Sequence, residues 1–159
     1  NPCRCGEMFD PAKACSRAPI CGEDYMGRIS GPLMDRIDLR LEVPPVDFPD
    51  LDLPSDGDSC AMIAARVATA RDIQTTRFDG KSNARVNAEA EGAVLEEIAT
   101  PDTEGRDFLQ TVAQRFGLSA RGYHRVLRVA RTIADLDGQT NVRKPHIAEA
   151  VSFRLAEAK

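Results

Sequence analysis

The stretch Ser119–Asp137, SARGYHRVLRVARTIADLD, decides how the rest of the chain is read. Wound at about 100° per residue, it gathers Tyr123, Val126, Leu127, Ala130, Ile133 and Ala134 on one side. Arg121, Arg125, Arg128 and Arg131 fall on the other, within a stripe about 120° wide. Ser119 offers an N-cap oxygen and Gly138 a stop. A helix this amphipathic needs partners for its apolar side, and helical periods recur on both flanks. Ser59 can cap a helix running to about Phe78, with Ile63, Val67, Ala70 and Ile73 on one face. A weaker helix covers about 87–99, closed by Thr100-Pro101. Another covers about 104–116, with Phe108, Leu109, Val112 and Phe116 inward and Gly117 as its stop. The last begins at Pro145, a residue suited to a first turn, and runs on to the end of the sequence. Five helices with short connections predict a compact bundle.

The first third reads differently. Residues 1–27 are rich in Gly, Pro, Cys and charge and have no period. Leu39, Leu41 and Val43 then alternate with Arg40 and Glu42, a short strand signature ended by Pro44-Pro45. The segment 44–58, PPVDFPDLDLPSDGD, has four prolines and five aspartates and reads as a linker or surface crossing. The composition, 42% hydrophobic with a mean hydropathy of -0.34, is that of a globular chain. No run approaches the roughly 18 apolar residues of a spanning helix. A net charge of -4 argues against a globally basic nucleic-acid binder while leaving room for a local basic surface. No basic-then-apolar leader is visible, and the absence of an initial Met suggests a piece of a longer protein. Four of the five cysteines lie in the first 21 residues. A secreted disulfide scaffold would spread more cysteines through a smaller chain, so the expected setting is reducing and cytoplasmic. Cys60 stands alone and reads as a small core residue.

Several motifs bear on chemistry. Gly80-Lys81-Ser82 matches the end of a phosphate-binding P-loop, but position 75 is Thr where the pattern needs Gly, and a helix precedes it where a strand should. The reading is a helix-ending turn. The arginine stripe is either a solvated face or a phosphate-binding one. Arg121 favours the second, because it sits in a first turn, where the helix dipole disfavours a cation and attracts an anion. Arg36 lies between Asp35 and Asp38 in GPLMDRIDL, either locally ion-paired or presented to a partner's phosphate. His124 and His146 are on separate helices and suggest surface or capping roles. Cys3, Cys5, Cys15 and Cys21 give C-x-C-x9-C-x5-C. Four thiolates suit a closed zinc site, although the usual pair spacing is two to four residues, so zinc ligation and reduced loop thiols both stand.

Together, NPCRCG, GRISGPLMDRIDLRLEVP, ARVATARDIQ, GLSARGYHRVLRVARTIADLDG and HIAEAVSFR resemble the C-terminal part of the Mg-chelatase-like AAA+ ATPases of the bacterial competence (ComM-type) group. The likeness runs through most of the chain and is least distinctive over 79–105. It implies a mainly α fold: a helical lid at 51–159, preceded at 1–50 by a loop and strand tail from the edge of an α/β ATPase core. It implies ATP and Mg2+ in the full-length protein. Asn1 matches the sensor-1 position, Arg36 the arginine finger that completes a neighbouring subunit's ATP site, and Arg121 the sensor-2 arginine of the lid. It further implies a homo-oligomeric ring, a hexamer, working on DNA. The 159 residues hold no Walker A or Walker B pattern, so the isolated chain is expected to be monomeric and without ATPase activity. Many members of that group carry two C-x-C pairs. Here Arg17 stands at the fourth position and Cys21 is displaced. The rival function is a helical DNA- or protein-binding module whose arginine stripe meets phosphate.

Overall fold

Capping chemistry sets where the helices begin. The computed structural model describes residues 3–6, 8, 12–41, 43, 46, 48–54 and 57–155. Among these residues the α-helices are α1 (Ile20–Met26), α2 (Gly31–Met34), α3 (Cys60–Phe78), α4 (Gly92–Ala99), α5 (Thr103–Phe116), α6 (Ala120–Leu136) and α7 (Lys144–Leu155). Ser59, Asp102 and Ser119 open α3, α5 and α6, their side-chain oxygens accepting from the amides of Met62 (3.3 Å), Gly105 (2.8 Å) and Gly122 (2.9 Å). Gly117 ends α5 at φ 60°, and Gly138 follows α6 at φ 64°, both in the left-handed region that a side chain disfavours.

The chain divides into two compact units, Asn1–Ile37 and Asp38–Lys159. In the larger one, α6 is the central element and packs on α3, α4 and α7, while α5 packs on α7. Its apolar side forms the core as the helical wheel predicts: Val126, Leu127, Ala130, Ile133 and Ala134 are buried. They meet Leu95 and Ala99 of α4, Leu109 and Val112 of α5, and Ile147, Ala150 and Val151 of α7. A single parallel bridge, Pro101 to Val142, ties the starts of α5 and α7. The Asp102 amide donates to the Val142 carbonyl at 3.0 Å beside it. Backbone approach is so close there that a Cβ on Gly105 would lie 2.8 Å from Asp102 Oδ1 and 3.2 Å from Lys144 N.

Five expectations change. The alternating segment 39–43 forms no strand among the described residues, because none of them extends alongside to complete a ladder; Arg40 N–H instead donates to the Phe153 carbonyl at 2.8 Å. Residues 20–26, expected as loop, form α1. On α3 the buried residues are Ala70, Gln74 and Phe78, whereas Ile63 and Val67 are exposed, since only the C-terminal half of α3 reaches the core. Phe116 is exposed for the same reason at the far end of α5, and Cys60 is exposed rather than core.

Candidate functional site

The four stripe arginines of α6 have separate fates. Arg131 is only 2% exposed and lies against Asp135, one turn further on: its Nε and Nη2 donate to Asp135 Oδ1 at 3.1 and 2.9 Å. Its remaining hydrogens go to the carbonyls of Thr140 (2.7 Å), Gln139 (2.6 Å) and Ile98 (3.4 Å). Arg77 reaches the same carboxylate from α3, Nη1 donating to Oδ2 at 2.7 Å and Nη2 to Oδ1 at 2.5 Å. Asn87 Nδ2 adds a third donor at 2.8 Å. Burial alone would raise the Asp135 pKa, but the bonds from Arg77 and Asn87 and the charge of Arg131 outweigh it and hold the carboxyl below its ordinary value. Desolvation lowers the Arg131 pKa, aided by the like charge of Arg77 and opposed by Asp135.

Arg125 pairs with Asp38. Arg128 Nε caps the carbonyl of Ala90 at 2.8 Å, with Glu91 nearby at 3.5 Å. Arg125, Arg128 and Arg131 are thus engaged within the helical unit. Arg121 alone among the four is exposed, in the first turn of α6. Arg154 of α7, which the sequence reading did not single out, packs against Gly122 of the same turn, where a Cβ would lie 3.2 Å from its Nη2. The signal for Arg154 was present only as the last residue of HIAEAVSFR, with no local pattern to say that it folds back on α6.

Arg36 follows the single turn of α2, which Pro32 starts and in which Arg36 N–H donates to the Leu33 carbonyl at 3.0 Å. It is exposed, and among the described residues its guanidinium has no ion-pair or hydrogen-bond partner; Asp38, the expected local neighbour, is taken by Arg125. Asn1 lies outside the described residues. Gly80 to Ser82 is a helix-ending turn, with Lys81 N–H donating to the Phe78 carbonyl at 3.1 Å. His146 Nδ1 accepts from the Arg143 amide at 3.0 Å, a capping contact at the start of α7, and exposed His124 stacks edge-on with Tyr123.

The four clustered cysteines do converge. Cys3 and Cys5 sulfurs are 3.0 Å apart and those of Cys15 and Cys21 are 3.2 Å apart. The sulfurs of Cys3, Cys5 and Cys21 lie within 4.8 Å of one another. The bond to Cys15, with desolvation, pushes the Cys21 thiol up to about 12. That same bond and the backbone amide of Arg17 hold the Cys15 thiol down.

Comparison with known proteins agrees with this architecture. The family described as "Magnesium chelatase, subunit ChlI C-terminal" matches residues 57–154, and "Magnesium chelatase, subunit ChlI" matches 1–51. The "Competence protein ComM" of Haemophilus influenzae is 39% identical over 131 residues, 82% of this chain and 25% of that protein. A protein of Mycobacterium bovis is 36% identical over 159 residues, 100% of this chain and 31% of that protein. The Escherichia coli protein YifB is 35% identical over 136 residues, 84% of this chain and 26% of that protein. The chain therefore spans about a quarter to a third of the length of these curated relatives. No helix among the described residues is long and apolar enough to cross a membrane. With its all-helical larger unit matched over 57–154, the chain belongs to the magnesium chelatase ChlI C-terminal family, as a ComM- and YifB-like member.

Proposed function

We propose that this chain contributes two phosphate-directed arginines, Arg36 and Arg121, and a helical lid to an AAA+ ATPase that works as a homo-oligomeric ring, a hexamer, in the cytoplasm. The observation that carries the reading is the position of Arg121. A cation in the first turn of a helix sits against the positive end of the dipole and costs stability there. Arg121 is exposed there, where an anion would gain from both the guanidinium and the first-turn amides. Exposed Arg36, at the end of α2, suits an arginine presented to a neighbour.

Both roles follow from the guanidinium. It keeps its charge at any working pH and presents a planar fork that matches phosphate oxygens two at a time. Bound ATP supplies the transferring phosphoryl group, and the charge that develops on its oxygens is what the arginines would offset. The cradle for the phosphates and the ligands for Mg2+ belong to the longer protein, since these 159 residues contain no P-loop pattern. Asn1, by its match to the sensor-1 position, would contact nucleotide. DNA as the object of the motor is supported by the resemblance to a group associated with DNA uptake and by one relative's name, competence protein.

The test is ATP turnover by the full-length protein. Arg36→Ala and Arg121→Ala should each lower kcat by about 10³-fold or more, the magnitude at which arginine fingers act. Turnover near that of the unaltered protein in either variant would remove that residue from the ATP site.

A further inference from the structure

We propose that Cys3, Cys5, Cys15 and Cys21 form a closed, structural Zn2+ site that ties the turn at 3–6 and the turn at 15–18 to the start of α1. The four sulfurs close a ring in space. Cys3 touches Cys5 at 3.0 Å and Cys15 touches Cys21 at 3.2 Å. Side-chain contacts join Cys5 to Cys15 and Cys21 to Cys3 across the gap. Convergence from an irregular spacing is the informative part. Two of the residues come from one tight turn, one from a second turn, and one from the first turn of a helix, so nothing in the local backbone requires them to meet.

The backbone around them suits metal ligation. Gly6, at φ 83°, lets the chain reverse directly after C-x-C, and its amide donates to the Cys3 carbonyl at 3.2 Å. The Ala18 amide donates to the Cys15 carbonyl at 3.0 Å, and the Arg17 amide bonds to the Cys15 sulfur. Amide-to-sulfur bonds of this kind orient a thiolate and temper its charge beside a metal. Cys21 enters α1 with its amide bonded to the Arg17 carbonyl at 3.0 Å, which fixes the fourth sulfur on a regular element. Cys3 is fully buried, Cys15 and Cys21 are half-buried and Cys5 is exposed, giving an ion a shielded seat with one accessible edge.

Four sulfur donors and no nitrogen or oxygen select a soft, tetrahedral ion, with Zn2+ the usual occupant. Zinc–sulfur bonds of about 2.3 Å place the sulfurs about 3.8 Å apart, so the two short edges expand by less than about 1 Å while Cys15, outside the group of three within 4.8 Å, draws in. Binding forms four Zn–S bonds and releases the thiol protons to solvent, with no change of oxidation state. With no open coordination position the ion takes no part in hydrolysis. Its consequence is structural: it welds the turn at 3–6, the turn at 15–18 and α1 into one piece. The site is independent of the roles given to Arg36 and Arg121.

The full chain, purified under reducing conditions, should contain one zinc per molecule by elemental analysis. Its metal-free form should bind Co2+ with the visible spectrum of tetrahedral thiolate coordination. Cys15→Ser and Cys21→Ser should each weaken Zn2+ binding by more than about 100-fold in competition with a chromophoric chelator, beyond the loss typical of second-shell changes. Cys60→Ser, on α3 outside the ring, should leave it unchanged. Metal-free protein that takes up less than a tenth of an equivalent of Zn2+ or Co2+, bound iron in place of zinc, or ligand variants that bind like the unaltered chain would each overturn the proposal. Far-ultraviolet circular dichroism of each variant, dominated by α3–α7, separates loss of the site from loss of the whole fold.

Discussion

Replacing Asp135 with Ala should be the most damaging single change available in the helical unit. Asp135 is the carboxylate that Arg131 bonds, and it also holds both terminal nitrogens of Arg77 and the amide of Asn87. Its side chain is 0% exposed and that of Arg131 2%. Removing one member of such a pair strands the other charge away from water, at a cost of about 3–5 kcal/mol. Arg77, whose side chain is 18% exposed, can turn outward and recover part of its hydration, so the penalty falls mainly on Arg131. Against a typical domain stability of about 5–15 kcal/mol, the variant loses between about a fifth and all of it. At about 4 °C per kcal/mol for a domain of this size, Tm should drop by about 12–20 °C. The assay is thermal and urea unfolding followed by circular dichroism at pH 7. A second arm uses pH. The folded-state pKa of Asp135 is depressed, so its contribution is present above the unfolded value near 3.8 and is lost as pH falls through the folded value. The stability gap between the unaltered protein and Asp135→Asn should therefore narrow below about pH 4. The double change Arg131→Met with Asp135→Leu should recover most of the loss, because an apolar pair of similar volume needs no compensation. A loss under about 1 kcal/mol in Asp135→Ala, or a double variant as unstable as the single, would refute the account.

Two other expectations concern the helix starts. Ser119→Ala removes the oxygen that accepts from the Gly122 amide and should cost about 1 kcal/mol in urea unfolding. Gly105→Ala should cost about 1–3 kcal/mol, because the new Cβ would fall 2.8 Å from the capping oxygen of Asp102 and 3.2 Å from the Lys144 backbone, which is pinned by the Pro101–Val142 bridge; wild-type stability there would mean the two helix starts are free to part.

Much of the bundle was legible because its signals are local. Ser59, Ser119, Gly117 and Gly138 bound their helices by capping chemistry that involves only three or four neighbours. The apolar side of α6 was legible because period and polarity agree over 17 residues. The misreadings share a cause. Arg131 is placed by the wheel on the polar stripe, since the wheel sees polarity and not Asp135, held in turn by the Arg77 and Asn87 groups that approach from elsewhere in the chain. Ile63 and Val67 have the right spacing but lie on the half of α3 beyond the core, a fact about length and crossing position rather than pattern. The strand expected at 39–43 does not form at the described residues 39–41 and 43, because a strand needs a neighbour to pair with, which no single segment can reveal. Of the candidate site, Arg36 and Arg121 were legible from motif and dipole logic, while Arg154 needed the fold. The meeting of Cys21 with Cys3 and Cys5 also needed it, because a C-x9-C gap does not determine where its ends go.

The Asp135 cluster also has a mechanical meaning. One carboxylate joins α3 through Arg77, the turn at 87–89 through Asn87, α6 through Arg131, and, by way of Arg131, the carbonyls at 139 and 140. None of these segments can slide without uncovering the same charge, so they yield together or not at all. A body knotted at one interior point behaves as a lever: a torque applied at the first turn of α6 is carried to its far end rather than absorbed by a loop along the way.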